Sequence, residues 1–373
     1  MSPPSLPTLH FDLIIEILCR LPVKSLMQFK CVCKPWNSLI SADRKFATKH
    51  LRCMSSTSTM NHNLIQQSEN NPSNFSLYPL RTIFTSCTTI DATEITFPLH
   101  GENYFDYGIR IVASCDGILC LTAWPDSEAI TVLWNPSIRK YNILPPLEEN
   151  IRPRYKYVHT VYGFGYDNIT DNYKVVAVSR DVCYSGGIYK TQTQVKVHTL
   201  GTNSWRLIDE FPFGSSGDFS IGPGKFVSGA INWLVFNSNS TSFSIVSLDL
   251  GTESYQEILK PDYGQQGVKM GNILILGVLS DCLSLISRRD IWLMKEYGNR
   301  NTWTKFATIH GSYLYGEILY NSEDDQVLLE FMMDLFNSKL VVYNSINDTL
   351  KSLDIKTNRR LSIYVESLIS PCS

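Results

Sequence analysis

The sequence predicts a small all-α unit at its N-terminal end, followed by an all-β, propeller-type domain of five to six blades. Three observations predict this. Apolar residues recur at helical spacing only within residues 9–53. From about Phe75 onward, short runs rich in Val, Ile, Leu, Tyr and Trp alternate with Gly, Asn and Asp turns. Within that second region one strand–turn–strand pattern returns about every 50 residues.

The helical unit comes first. From Asp12 to Leu21, Ile14, Ile17, Leu18 and Leu21 follow i, i+3, i+4, i+7, one face of a helix. Pro22 ends that helix and can open the next, because the first turn has no use for the donor that proline lacks. Leu26, Phe29, Val32, Cys33 and Trp36 continue an apolar stripe, and Pro35 marks a restart. Asp43 is placed to cap a last short helix carrying Phe46, Ala47 and Leu51. So short a unit is a poor independent core, and a partner is expected to cover part of its apolar surface. Residues 1–8 read as a flexible N-terminus and 54–75, rich in Ser, Thr, Asn and Gln, as a polar linker. The all-β domain then spans 76–373.

The repeat is the most informative property of that domain. TVLWNPSIRKY (131–141), VKVHTLGTNSW (195–205), IVSLDLGTESY (245–255) and LVVYNSINDTL (340–350) are copies, and IWLMKEYGNRNTW (291–303) has a turn two residues longer. They close on Tyr141, Trp205, Tyr255, Trp303 and Leu350, flat or bulky residues suited to packing between blades. Another strand precedes each copy, beginning at Asp116, Asp171, Gly229, Ser280 and Asp324. A multi-stranded repeat near the kelch period indicates propeller blades, whose ring closure removes exposed edges. Five blades are legible; a sixth can form from TIFTS and TEITFPL, closed by the terminal run LSIYVESLIS. A β-sandwich or paired barrels is the alternative.

Chemistry-bearing motifs are sparse. The sequence has no GxSxG elbow, HExxH pair, phosphate-binding GxxxxGK[ST] or post-strand GxGxxG. Gly222 and Gly224 read as part of a flexible loop, and His198 as a structural residue inside a repeat strand. Cys31, Cys33, His50 and Cys53 form the tightest cysteine group, but CxC spacing in a helix points two thiols apart, so free buried thiols are expected and no metal or cofactor. The 33 Lys+Arg and 35 Asp+Glu give a net charge of −2. It divides unevenly: residues 1–53 carry +5 and the remainder −7, which argues against nucleic acid as a partner of the β domain. No apolar run is long enough for a membrane helix and no secretory leader is legible, so a location in the cytoplasm and/or nucleus, away from membranes, is expected.

LHFDLIIEILCRLPVKSLMQFKCVCKPWNSLIS resembles the F-box, and its RLPVKSL and VCKPW forms look like the plant version. The family usually opens with Leu-Pro; here His10 follows Leu9, and Leu6-Pro7 lies upstream. SCDGILCL, LWNPSIRKYNILPP, FGYDNITDNYKVVAV, VKVHTLGTNSWR, GAINWL, IVSLDLGTESY and the terminal YVESLISP resemble, in that order, the plant F-box-associated interaction domain of S-locus F-box-like proteins. Double-glycine kelch signatures are absent apart from Gly186-Gly187, so the domain looks kelch-like and not kelch proper.

The resemblance implies a non-catalytic substrate-recognition subunit of a Skp–cullin–F-box ubiquitin ligase. Its partners would be a Skp-type adaptor, through it a cullin scaffold, and an unidentified target protein. For adaptor docking it points to Leu9, Ile14, Leu18, Leu21, Pro22, Leu26, Phe29, Val32 and Trp36. For the target, irregular loops are expected at 145–160, 180–193, 208–226 and 258–272, with Tyr155, Tyr157, Tyr184, Tyr189, Phe211, Phe213, Phe219 and Tyr263 as candidate anchors. A scaffold outside any ligase, or a propeller-based receptor or enzyme, are the other readings.

Overall fold

The computed structural model describes residues 9–55, 61–68, 71, 73–85, 90–98, 109–123, 130–147, 156–185, 188–212, 219–237, 242–262, 274–287, 289–309, 315–322, 324–332, 338–357 and 361–372. Four helices open the chain: α1 (Phe11–Leu18), α2 (Val23–Phe29), α3 (Lys34–Ala42) and α4 (Arg44–Ser55). Their limits follow the predicted signals. Pro22 is the N-cap of α2, Pro35 lies in the first turn of α3, and the Asp43 carboxylate accepts the Phe46 N–H at 2.9 Å to cap α4.

Six antiparallel sheets follow as the blades of a propeller. The first contains β1 (His62–Gln67), β2 (Asn74–Pro79) and β3 (Thr93–Thr96), with helix α5 (Leu80–Thr85) between β2 and β3. The second holds β4 (Ile109–Cys115), β5 (Ile118–Ala123), β6 (Ile130–Asn135) and β7 (Lys140–Ile143). The third holds β8 (Lys156–Asp167), β9 (Asn172–Ser185), β10 (Ile188–Thr199) and β11 (Arg206–Leu207). In the fourth, β12 (Phe219–Ile221) and β13 (Lys225–Val227) both pair with β14 (Ala230–Asn237), followed by β15 (Phe243–Asp249) and β16 (Tyr255–Ile258). The fifth holds β17 (Leu274–Leu279), β18 (Cys282–Ser287), β19 (Asp290–Met294) and β20 (Trp303–Thr308). The sixth holds β21 (Tyr315–Asn321), β22 (Gln326–Met332), β23 (Ser338–Asn344) and β24 (Thr349–Thr357). Strand β25 (Leu361–Val365) then returns to the first blade and pairs with β1, from His62↔Val365 to Gln66↔Leu361. The innermost strands neighbour one another in the order β25, β4, β8, β13, β17, β21 and back to β25, which closes the ring.

The composition of the first blade, the one the repeat left incomplete, departs from expectation. Residues 54–75 include β1 and the start of β2, so they are not a linker throughout. HNLIQQ looks solvated, yet Leu64 and Ile65 are fully buried and Asn63, Gln66 and Gln67 are buried with them between two strand partners. TEITFPL does supply β3 and LSIYVESLIS supplies β25, but TIFTS falls in helix α5. Leu80 and Ile83, one helical turn apart, are buried there against Leu64 and the sixth blade's Leu328 and Leu340. Gly222 and Gly224 lie in the short connection between β12 and β13, where the Gly224 N–H donates to the Tyr162 carbonyl at 3.1 Å and joins the inner edges of the third and fourth blades.

The closing residues of the repeat fasten each blade to the one before it. Trp205 Nε1–H donates to the Pro145 carbonyl at 2.7 Å, and Trp303 Nε1–H to that of Leu259 at 2.9 Å. The Tyr255 hydroxyl reaches the Asp209 carbonyl at 3.4 Å, and the Tyr141 ring lies 5.7 Å from Phe97. Each contact falls just past the outermost strand of the preceding blade. A second inter-blade link is ionic. Lys174, on β9, meets Asp167 at 2.9 Å and Glu253 of the next blade at 3.1 Å, and donates to the Leu250 carbonyl at 2.6 Å. His198 is buried as expected, its Nε2 at 3.0 Å from the Thr202 carbonyl oxygen and its ring 5.4 Å from that of Trp205.

Candidate docking faces

In the helical unit, Leu18, Val23, Leu26, Leu39, Ile40, Phe46 and Ala47 are buried together. Leu18 and Leu26 are therefore internal packing and not docking residues, contrary to expectation. Ile14, Leu21, Phe29 and Trp36 are half-buried against the same core, and Phe29 and Trp36 pack ring to ring at 5.8 Å. Pro22 is exposed. His10, in the place where the Leu-Pro opening was expected, starts α1 through its carbonyl, which accepts the Leu13 N–H at 3.0 Å.

The free apolar surface lies elsewhere on the same helices. Among the described residues, ten large apolar side chains are exposed, and five of them belong to this unit: Leu9, Phe11, Leu13, Ile17 and Val32. Ile17 is 54% exposed although it belonged to the predicted inner stripe, and Leu13, one turn before it, is 53% exposed. Phe11, Leu13 and Ile17 were missed because periodicity identifies one face, whereas FDLIIEIL has six apolar residues in eight and cannot bury them all on one side. That surplus was the available signal. The polar side of α1 is anchored instead: Glu16 pairs with Lys49 of α4 and lies 3.8 Å from Arg20, and the Lys49 hydrogen bond holds the Glu16 carboxyl below its ordinary range.

The unit is seated on the propeller. Its core is continuous with Cys115, Ile118, Cys120 and Leu133 of the second blade, Phe164 and Tyr173 of the third, and Leu368 and Ile369 after β25. Arg44 bonds to Asp171 in the β8–β9 turn. Asp116, in the β4–β5 turn, accepts the Tyr173 hydroxyl at 2.9 Å; burial pushes its carboxyl up and that bond opposes the shift. The segment after β25 is locked beneath. The buried Asn135 amide donates to the Ser367 carbonyl at 3.1 Å, its hydroxyl at 3.1 Å and the Ile369 carbonyl at 2.7 Å. The Ser367 hydroxyl donates to the Asp116 carbonyl at 2.6 Å, and a Cβ on Gly117 would stand 2.3 Å from the Ser367 oxygen. Gly117 also has φ +81°, so both space and backbone demand glycine there.

Strands of a blade alternate in direction, so first-to-second and third-to-fourth turns share one face of the ring. These turns are tight. Asp116, Asp171, Ser228, Ser280, Asp281 and Asp325 take φ between 49 and 57° before the second strands. Aspartate tolerates that region because its short side chain can bond to nearby backbone. The helical unit occupies this face. The outermost strands β7, β11, β16 and β20 end toward the opposite face.

The candidate target anchors separate on this frame. Stretch 180–193 is no irregular loop: β9 and β10 run through it, with Tyr184 opposite Tyr189 and Tyr157 of β8 opposite Val182. That hairpin extends toward the face away from the helical unit. Within 208–226 lie β12 and β13. Phe211 and Phe219 are buried and are not interface anchors; Phe211 packs at 5.8 Å from Trp233, and the Arg180 guanidinium covers Phe219 at 4.9 Å. Tyr155, Phe213 and Tyr263 lie outside the described residues. No helix among the described residues is long and apolar enough to cross a membrane.

Comparison with known proteins agrees with this two-part architecture. A family model described as the F-box domain matches residues 6–48, and one described as the F-box associated beta propeller domain matches residues 70–371. An F-box/kelch-repeat protein of Arabidopsis thaliana is 30% identical, covering 99% of this chain and 97% of its own length. The F-box protein CPR1 of the same plant is 27% identical over 98% of this chain and 89% of its own. Among solved structures, TolB from Acinetobacter baumannii aligns with a TM-score of 0.46 at 10% identity over 87% of this chain and 73% of its own, too distant to speak to activity.

Proposed function

From the premise that this chain belongs to the F-box proteins with an F-box-associated β-propeller, we propose that it is the substrate receptor of a Skp–cullin–F-box ubiquitin ligase. The observation that carries the proposal is the exposed apolar surplus of the helical unit. A unit already seated on the propeller by its core still presents Leu9, Phe11, Leu13, Ile17 and Val32 to solvent. A Skp-type adaptor covering them buries on the order of 1,600 Å² in total, the size of a stable interface. The half-buried Ile14, Leu21, Phe29 and Trp36, with Pro22, shape the border of that surface.

The propeller presents the target. The face away from the helices, with the β9–β10 hairpin that extends toward it, forms its binding surface. A target held there gains effective concentration near the ubiquitin-charged enzyme that the cullin brings, and the transfer of ubiquitin uses no side chain of this chain. The work is carried out in the cytoplasm and/or nucleus.

Full-length protein carrying Leu13→Asp and Ile17→Asp tests the reading. Co-purification with a Skp-type adaptor is expected to fall at least about tenfold, while the thermal transition stays within a few degrees of wild type. Retained adaptor binding by a folded double variant overturns the docking assignment. Loss of adaptor without any target stabilised under proteasome inhibition points instead to a scaffold.

A further inference from the structure

The helical unit contains two thiols in contact. Cys19 directly follows α1 as its C-cap, and Cys53 lies near the end of α4. Their sulfurs are 3.5 Å apart, with the Cys53 thiol directed at Cys19 Sγ, which also lies 3.3 Å from the Glu16 carbonyl oxygen. A disulfide needs ~2.05 Å, so the gap is about that of a side-chain rotation and not of a helix movement. Cys19 is fully buried and Cys53 half-buried, so one sulfur is sheltered and the other is open to a small oxidant. Lys49 stands one turn before Cys53 on α4, its charge held by Glu16. None of the eight described cysteines is in a disulfide, and Cys31 and Cys33 are exposed.

We propose that Cys19 and Cys53 form a reversible thiol–disulfide site that staples α1 to α4 when a hydroperoxide reaches the helical unit. The Cys53 thiolate attacks the peroxide oxygen, and the O–O bond breaks to give a Cys53 sulfenic acid and the corresponding alcohol, or water from hydrogen peroxide. Cys19 Sγ then attacks the sulfenic sulfur; an S–S bond forms, the S–O bond breaks, and the hydroxide leaves as water with the Cys19 proton. In balance, two thiols and one hydroperoxide give one disulfide, one alcohol and one water. A dithiol reductant reverses the step by exchange. Nothing in this chemistry depends on which protein the helical unit docks.

The staple has a defined consequence. It closes residues 19–53 into a loop that contains α2 and α3, restraining the unfolded state of the docking unit and leaving the propeller's own strands untouched.

The test uses full-length protein with Cys31→Ser, Cys33→Ser and Cys372→Ser, treated with hydrogen peroxide, alkylated and digested. The expected product is a peptide pair linking Cys19 to Cys53, with a chain mass lower by ~2 Da that a dithiol restores. Hydrogen exchange over α1 and α4 is expected to slow about tenfold in the oxidised form. Adding Cys53→Ala should abolish both the link and the slowing. The proposal is overturned by oxygen addition at either sulfur without a link, by linkage of either to another cysteine, or by a link that leaves exchange in α1 unchanged.

Discussion

Lys174 is a charged side chain enclosed between two blades, and its surroundings define what it is worth. It faces two carboxylates and one carbonyl, while Arg206 holds the outer side of Glu253 through two contacts at 2.6 and 2.7 Å. Burial pushes both carboxyls up. Hydrogen bonds from Thr170 and Lys174 outweigh it at Asp167, and Arg206 and Lys174 outweigh it at Glu253, so both end below their ordinary values. Folded values below unfolded ones mean that this stabilisation is complete above about pH 4 and is lost as pH falls through the folded values. Lys174→Met leaves the buried Asp167 carboxylate without its cation and Glu253 with Arg206 alone, and is expected to cost about 3–5 kcal/mol by chemical denaturation at neutral pH. It should also move the acid unfolding midpoint upward; an unchanged midpoint would separate the lysine from acid stability. In the helical unit, Leu18→Ala is expected to cost about 2–5 kcal/mol, whereas Ile17→Ala should change stability by less than about 0.5 kcal/mol.

At the scale of elements, the segment after β25 is the part whose removal should be felt furthest from its position. Asn135→Ala strips three acceptors of their donor and is expected to lower stability by about 2–4 kcal/mol. Truncation before Leu361 removes the inner strand of the first blade and exposes the β1 edge; the expected result is loss of a single cooperative transition and aggregation on heating, followed by light scattering. The legible and illegible elements divide by where their information resides. The second strands and closing residues were readable because five of the six blades repeat the same turn at a left-handed aspartate or serine, and four of those close on an aromatic that contacts the preceding blade. Strand β1 was unreadable because His62, Asn63, Gln66 and Gln67 carry no apolar alternation; its pairing with β25 joins residues some three hundred positions apart. Leu80 and Ile83 were misassigned because β-branched TIFTS suits a strand, and burial one turn apart decides for a helix. The docking face was half-visible: the helix showed in its periodicity, but the side it leaves bare depends on what the propeller covers.

For the whole molecule, charge and geometry divide along the same line. The N-terminal 53 residues carry a net +5 and the rest −7, so a basic unit stands on the tight-turn face of a mildly acidic ring. Attraction of that kind acts mainly on the rate of encounter. Association with an acidic adaptor is therefore expected to slow about tenfold between roughly 50 and 300 mM salt with little change in dissociation, measurable by stopped-flow or surface methods. Because the helices occupy one face of the ring, a protein held on the other lies across its full depth from whatever the helices hold. The shared core with Leu368 and Ile369 makes that spacing rigid.

The pairing of β1 with β25 also sets a clock on biosynthesis. His62 leaves the ribosome long before Val365 exists, and at roughly 5–20 residues per second the delay is about 15–60 s. Through that interval the first blade lacks its inner strand, and the helices lack the floor that Leu368 and Ile369 complete. The nascent protein therefore spends its synthesis with the underside of its helical unit and a sheet edge both exposed, the form most in need of a chaperone, until residues 361–369 arrive.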